Sequence, residues 1–152
     1  MIFRRWRAIR IIIETIAPDE EDSVVIRVKR MTNNIKRAID ILERPENLVV
    51  SLEDQTLLVP TADVYYIESV DQKTFVYTAK AVYRSKLKLY EIEESLNDDF
   101  FLRISKQLIL NITKIKSVSS VGGARFGATL TNGEMVIVSR QYVPALKERF
   151  GL

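Results

Sequence analysis

Residues 100–141 read FFLRISKQLILNITKIKSVSSVGGARFGATLTNGEMVIVSRQ. Short β-branched and aliphatic runs, Leu108-Ile109-Leu110 and Val136-Ile137-Val138, alternate here with polar turns, as strands alternate with reversals. Asn132-Gly133 is a strong tight-hairpin signal between Ala128-Thr129-Leu130 and Met135-Val136-Ile137-Val138. Two basic loops, Arg103-Ile104-Ser105-Lys106-Gln107 and Val138-Ser139-Arg140-Gln141, sit at the strand ends. The first projects Ser105, Lys106 and Gln107 between the apolar anchors Ile104 and Leu108. The second places Arg140 directly after a strand with a buried pattern, so its Cα is held stiffly. Singly, Arg140 reads as surface charge beside a helix start and Lys106 as a solvated turn. Together they are cations and hydrogen-bonding groups on stiff supports, which is what gripping a polyanion requires.

Outward from this stretch the texture stays β-rich as far back as Leu48. Leu48–Leu52 and Thr56–Pro60 flank Glu53-Asp54-Gln55 as a hairpin, and Thr61-Ala62-Asp63 makes a brief turn or a single helical turn. Val64–Ser69 is a strand, Asp71-Gln72-Lys73 a polar turn, and Thr74–Thr78 with Ala81–Tyr83 another pair. Ser85 is expected to cap a helix bearing Leu89, Ile92 and Leu96, which Asn97-Asp98-Asp99 closes. A last helix follows Ser139-Arg140, with Tyr142, Leu146 and Phe150 on one face and Pro144 in its first turn, where a missing N–H costs nothing. Residues 1–46 form a separate leader. Strands are expected at Ile9–Ile16 and Val24–Lys29 on either side of the acidic Pro18–Asp22. A helix with Ile35, Ala38, Ile39 and Leu42 at helical spacing follows, capped by Thr32 or Asn33 and closed at Arg44-Pro45. The expected fold is mostly β (α+β overall): a small β-β-α leader over 1–46, then an antiparallel β domain over 47–152.

The chain has 152 residues, 47% of them hydrophobic and 28% charged, which suits one core and a small extension. It has no cysteine and no histidine. Disulfides and thiolate metal sites are thereby excluded, and the commonest general base and zinc ligand are missing. Gly122-Gly123 lacks the spacing and the Lys-Ser/Thr of a phosphate loop, and the acidic runs read as solvated surface. No set of acid, base and nucleophile converges, so no enzyme, cofactor or small-molecule substrate is expected. From Phe100 to Leu152 eight Lys/Arg face two acids; the whole chain is +3, so residues 1–99 sum to −3. A basic C-terminal third suggests a localised polyanion footprint. No apolar run is long enough to cross a membrane as a helix. The start MIFRRWRAIRIIIETIA is interrupted by Glu14 and lacks a cleavage site, so a cytoplasmic protein is expected.

FFLRISKQLILNITKIKSV, followed by LTNGEMVIVSRQYVPALKERF, resembles the LytTR family of bacterial DNA-binding domains. The family pattern is an aromatic before an arginine, a polar pair, an apolar run ending in asparagine, then Ile-x-x-Ile. An Asn-Gly hairpin, a strand, and Ser-Arg-x-Tyr opening the last helix complete it. Phe101, Arg103, Ser105-Lys106, Leu108–Leu110, Asn111, Ile112, Ile115, Asn132-Gly133 and Ser139-Arg140-Gln141-Tyr142 supply it here. With Val64–Ser69 and the Leu87–Leu96 helix upstream, the likeness runs from about Leu48 to Phe150.

The resemblance implies an antiparallel β domain that reads successive major grooves of double-stranded DNA with loops at 71–74, 103–107 and 139–141. Residue by residue it puts Lys73 and Thr74, then Ser105 and Lys106, then Arg140 on the DNA, and it makes Asn111 structural. Family members often carry His-Arg or His-Asn where this chain has Ser105-Lys106, and histidine near Thr74, so target specificity is expected to differ there. Some 47 residues precede Leu48, fewer than a phosphorylated receiver needs. A stand-alone transcription regulator, working as a homodimer on a direct-repeat or paired site with its leader as the regulatory or dimerising surface, is therefore expected. In some relatives of this build a small membrane protein restrains the regulator, a possible partner here. The alternatives are a protein-interaction module or anti-regulator that keeps the fold without reading DNA, and an RNA-binding domain using Phe75, Tyr77 and Tyr83 for stacking.

Overall fold

The computed structural model describes residues 12–43, 47–96 and 98–152. The chain divides into two units, Met1–Thr32 and Asn33–Leu152. In the first unit the two expected strands do not form among the described residues. Ile12–Ala17 and Val24–Lys29 run without regular structure, joined by a turn in which Glu20 N–H donates to the Ala17 carbonyl at 3.0 Å. Residues 9–11 of the first expected strand, the Arg44-Pro45 helix stop and Asn97 lie outside the described residues. Among the described residues the alternation at Val24, Ile26 and Val28 pairs with no strand. Val24, Val25 and Ile13 are all exposed. A β pattern is only a fit to a pleated, half-covered surface, and without that surface it carries little preference of its own.

The second unit opens with helix α1 (Asn33–Glu43), as the spacing predicted, with Ile35 and Ile39 half-buried. Ten strands follow. The hairpin β1 (Asn47–Leu52) and β2 (Gln55–Pro60) leads through a 3-10 turn, Thr61–Asp63, to β3 (Val64–Val70), β4 (Lys73–Thr78) and β5 (Val82–Ser85). Helix α2 (Leu89–Ser95) precedes β6 (Phe101–Ser105) and β7 (Leu108–Asn111). After a second 3-10 turn, Ile112–Lys114, come β8 (Ile115–Gly122), β9 (Arg125–Leu130) and β10 (Met135–Val138). The chain ends in a 3-10 turn, Arg140–Tyr142, and helix α3 (Val143–Phe150). Every pairing is antiparallel. The strands form a seven-stranded sheet of order β2-β1-β5-β4-β3-β7-β6 and a three-stranded sheet of order β10-β9-β8.

One face of the large sheet is covered by α2, and around β3, β7 and β6 the other face is covered as well, so the period of two along these strands sorts their residues between two cores. In β7, Ile109 joins Val50, Val64, Ile67 and Val76 under α2, through Leu89 and Ile92. Its neighbour Leu110 points the other way, into Ile104, Leu130, Val138 and the α3 residues Val143 and Leu146. Each such fully buried aliphatic side chain contributes roughly 1.5–3 kcal/mol. Phe150 does not share the inward face of α3 and is exposed; Val143 and Leu146 carry it instead.

Local chemistry accounts for the joints. Asn111 is 2% exposed. Its amide donates to the Val64 carbonyl at 2.8 Å, and its Oδ1 accepts from Thr113 N–H at 3.1 Å, so it links two strands and starts a 3-10 turn. Ser85 ends β5 rather than capping α2: its hydroxyl accepts from Leu87 N–H at 3.2 Å. Glu91 reaches back to Lys88 N–H at 2.7 Å, the acid half of a capping box, which fixes the helix start three residues later than expected. Thr131-Asn132-Gly133 makes the β9–β10 reversal, with Gly133 at φ 89° and its N–H on the Leu130 carbonyl at 2.9 Å.

The β3–β4 hairpin is braced on its outer side by Tyr66 and Tyr77, whose rings stack with centroids 4.3 Å apart. Burial, first, and the Glu134 carboxylate, second, push the Tyr66 phenol well above its ordinary 10.0. Burial and then Glu68, which accepts from the Tyr77 hydroxyl at 3.2 Å, raise Tyr77 as well. Folding thus holds both protons past the pH at which a free phenol ionises. Their contribution to stability is complete below about pH 10 and declines as pH rises above it. Urea unfolding between about pH 9 and 11.5 is expected to show falling stability, with a shallower fall in Tyr66→Phe; equal slopes in the two proteins would contradict this.

Candidate nucleic-acid interface

Antiparallel register collects the candidate residues at one end of the large sheet. The β3–β4 turn is Asp71-Gln72, with Val70 opposite Lys73. Both turn residues sit in the left-handed region, at φ 48° and 63°, the geometry of a two-residue hairpin without its usual glycine. The β6–β7 turn is Lys106-Gln107, with Ser105 opposite Leu108. A hydrogen bond from Ser69 N–H to the Gln107 carbonyl at 2.8 Å ties the two turns side by side.

A register shift between Arg103 and Ser105 leaves Ile104 without a ladder partner on β7. Its carbonyl accepts from Ser139 N–H at 2.9 Å instead. That bulge therefore fastens the end of β10, and Arg140 with it, beside β6. Arg140 Nε donates to the Gly123 carbonyl at 3.2 Å, in the β8–β9 reversal where Gly122, Gly123 and Ala124 all have positive φ. One guanidinium edge is thus used for aiming, and its terminal nitrogens remain on an exposed side chain.

Of the seven predicted DNA-facing residues, Lys73, Lys106, Gln107 and Arg140 are exposed on this rim. Thr74 is not: at 3% exposure it lies on the α2 side of the sheet opposite Ser85, because Lys73 and Thr74 point to opposite faces. Ser105 is half-buried, and its hydroxyl accepts from Gln107 N–H at 3.1 Å, shaping the turn. Arg103 faces inward too. Its Nε donates to the Ser105 carbonyl at 2.7 Å, one terminal nitrogen to the Lys106 carbonyl, and the other to Glu93 of α2 at 2.6 Å. All three guanidinium nitrogens are occupied in holding the 105–107 turn from below. Arg103 is placed as a positioning residue for Lys106.

Sequence reading missed Arg84, Lys86 and Lys88, which the end of β5 brings beside Lys73. The signal was the hairpin register: once Thr74 pairs with Ser85, the next residues must emerge at the same rim. Of the three aromatics considered for base stacking, two are engaged within the domain, Tyr77 on Tyr66 and Tyr83 against the α2-side core. Among the described residues no helix is long and apolar enough to cross a membrane.

Residues 54–151 match the LytTr DNA-binding domain family. A solved LytTr DNA-binding domain from Bacillus cereus is similar at 29% identity and a TM-score of 0.68, over 71% of this chain and 99% of that one. The Sensory transduction protein LytT of Enterococcus faecalis is 27% identical over 142 residues, which cover 90% of this chain and 59% of the relative. An HTH-type transcriptional regulator of Staphylococcus aureus is 24% identical over 139 residues, 90% of this chain and 94% of that protein. The chain therefore spans about three-fifths of the length of the LytT relatives it matches.

Arg103→Lys keeps the charge but cannot bond Ser105, Lys106 and Glu93 at once. Amide exchange at residues 105–107 is expected to speed up by roughly tenfold or more, the loss of one to two hydrogen bonds' worth of restraint. Unchanged protection there would mean the turn holds itself.

Proposed function

The chain belongs to the LytTR family and carries its DNA-binding domain over residues 54–151, and from that premise we propose that it is a sequence-specific transcription regulator that reads double-stranded DNA with one rim of its large sheet. The observation that carries this reading is the convergence of Lys73, Lys106-Gln107 and Arg140, from three separate turns, at one end of the large sheet. Neighbouring strands lie about 4.8 Å apart, so the path from β4 through β3 and β7 to β6 and Arg140 covers roughly 15–20 Å. A major groove is about 12 Å wide. The three turns are thus too far apart for a single groove, and a reading of successive grooves across the intervening backbone fits their spacing.

Each rim residue has chemistry for the task. The terminal nitrogens of Arg140 can meet the O6 and N7 acceptors of guanine. Lys106 can contact a phosphate or a guanine acceptor, and Gln107 can pair with adenine. Arg140→Ala is expected to weaken binding to a selected site by about 1–3 kcal/mol while scarcely changing binding to scrambled duplex. Selection of bound duplexes from a random pool supplies the site. Equal losses on both duplexes would recast Arg140 as a phosphate clamp.

Work on chromosomal DNA places such a regulator in the bacterial cytoplasm, and we further propose that it acts as a homodimer on a paired site. Helix α1 supports this: Ile35 and Ile39 lie on one stripe with Leu42, which is 56% exposed. Because Leu42 already faces solvent, Leu42→Glu should leave the fold intact and shift the sedimenting species toward monomer. A variant that sediments like the parent would sink the dimer through α1.

A second reading, a protein-interaction module, has one observation in its favour. Val49 and Leu58 form an exposed apolar cross-strand pair on the outermost hairpin. Failure to shift any duplex, with retention of a protein partner, is the outcome that would prefer it.

A further inference from the structure

Beyond the three turns, the same rim holds a cleft of about 590 Å³ between the β1–β2 turn, the start of β4 and the connection from β5 to α2. Lys73, Arg84, Lys86 and Lys88 line it, against the single carboxylate of Glu53. Among the described residues none of these four cations is in an ion pair. The floor is polar as well. Thr74 and Ser85, a buried cross-strand pair, present hydroxyl-bearing side chains there. The site is also held in shape. Ser85 Oγ fixes the Leu87 amide, Ser51 Oγ donates to the Arg84 carbonyl at 3.3 Å, and Glu91 holds Lys88 N–H. These bonds engage backbone atoms of the lining residues, not their cationic heads.

Clustered cations with little counter-charge repel one another, and an anion that enters between them relieves the repulsion. The volume would admit a small organic ligand, but sites for such ligands are lined mostly by apolar side chains. Here Leu87 is the single aliphatic lining residue. The lining suits a phosphate, which needs charge and hydrogen-bond donors and little apolar burial. A phosphate could come from a DNA backbone or as a free ion. Position decides between them. Thr74 opposite Ser85 sets the end of β5 beside the turn that carries Lys73, about three strand spacings, or ~14 Å, from the Lys106 turn. A duplex engaged by Lys106 and Arg140 has to run its backbone along that rim.

The geometry points to this cleft as a clamp for a DNA backbone phosphate lying outside the bases read by the Lys106 and Arg140 turns. It rests on the DNA-reading proposal above and adds to it a sequence-independent contact made by Arg84 and Lys86. The cleft also gives Lys73, whose neighbour Thr74 is buried in the floor, a backbone phosphate within its reach.

The test uses the full chain carrying Arg84→Gln with Lys86→Gln, assayed on a selected site and on scrambled duplex over a range of salt. Affinity is expected to fall several-fold to tenfold on both duplexes alike, leaving their ratio unchanged. The slope of log K against log[salt] should shrink by about one for each phosphate that the variant no longer neutralises. Ethylation interference should disappear at a phosphate outside the base contacts. An unchanged slope and interference pattern, with the parent binding its site normally, overturns the clamp and leaves the reading rim standing. Amide shifts at Ser85 and Leu87 on titrating pyrophosphate into DNA-free protein, with an unchanged DNA slope, would reassign the cleft to a free anion. A parent chain that binds no duplex at any salt refutes the reading on which the clamp rests.

Discussion

Strand β7 is four residues long, and most of the domain hangs on its burial from both sides. Ile109 belongs to the core under α2 and Leu110 to the core shared with the small sheet and α3. Asn111 then ties the strand to Val64 through a buried amide. Register is strongly specified wherever a strand buries a face, because a slip by one residue turns its inward set outward. A strand covered on both faces has no solvent side to slip toward: a shift by one residue drives Ile109 and Leu110 into each other's cores. Register is thereby over-determined, and with it the positions of the turns at both ends. That is what a reading rim needs, since a base contact misplaced by an ångström is no contact.

The turns themselves are short and polar and would be loose without support from below. The support comes from side chains turned back toward the domain. Arg103 spans the 105–107 turn and α2 with one guanidinium, and the bulge at Ile104 gives up a ladder bond to capture Ser139. Arginine is suited to the first role because its donors are fixed in a plane and its charge cannot be titrated away. Glu93 lowers the cost of holding that charge at partial burial. The exposed cations, Lys73, Lys106 and those of the cleft, are carried on backbone whose position these inward groups have already settled.

Most of residues 47–152 was legible in the sequence, because turn chemistry and apolar runs punctuate it strongly. The single helical turn at Thr61–Asp63, the structural role of Asn111 and the Asn132-Gly133 reversal all follow from local residue types. The leader was not legible in the same way. Val24–Lys29 has the alternation of a strand but pairs with none among the described residues, and pairing is a property of two segments, which a one-dimensional pattern cannot supply. Thr74 and Arg103 were misjudged for a related reason. On a sheet open to water on one side, polar residues mark the wet face. Around β6 and β7 both faces are covered, and on β4 Thr74 lies on the face under α2, so a polar residue between apolar ones marks either a turn end or an inward anchor, and only the register distinguishes them.

That distinction also bears on where recognition can differ between this chain and other members of its family. Thr74 and Ser105 are both expected at the DNA on resemblance, yet one hydroxyl is buried on the α2 side and the other is committed to its own turn. Changing either residue would alter how a loop is held before it altered what the loop touches. The exposed positions Lys73, Lys106, Gln107 and Arg140 have the opposite character: their side chains are free to change with little consequence for the fold. Specificity can therefore drift at the exposed set while the inward set, Arg103, Ser105, Asn111 and the Ile104 bulge, keeps the rim in shape. A lysine in place of the more usual histidine-bearing pair moves the balance at that turn from a directional base contact toward a point charge. On the proposed reading, backbone affinity rises there relative to base discrimination, and discrimination falls more heavily on Arg140, an exposed planar fork that a neighbouring turn already holds in aim.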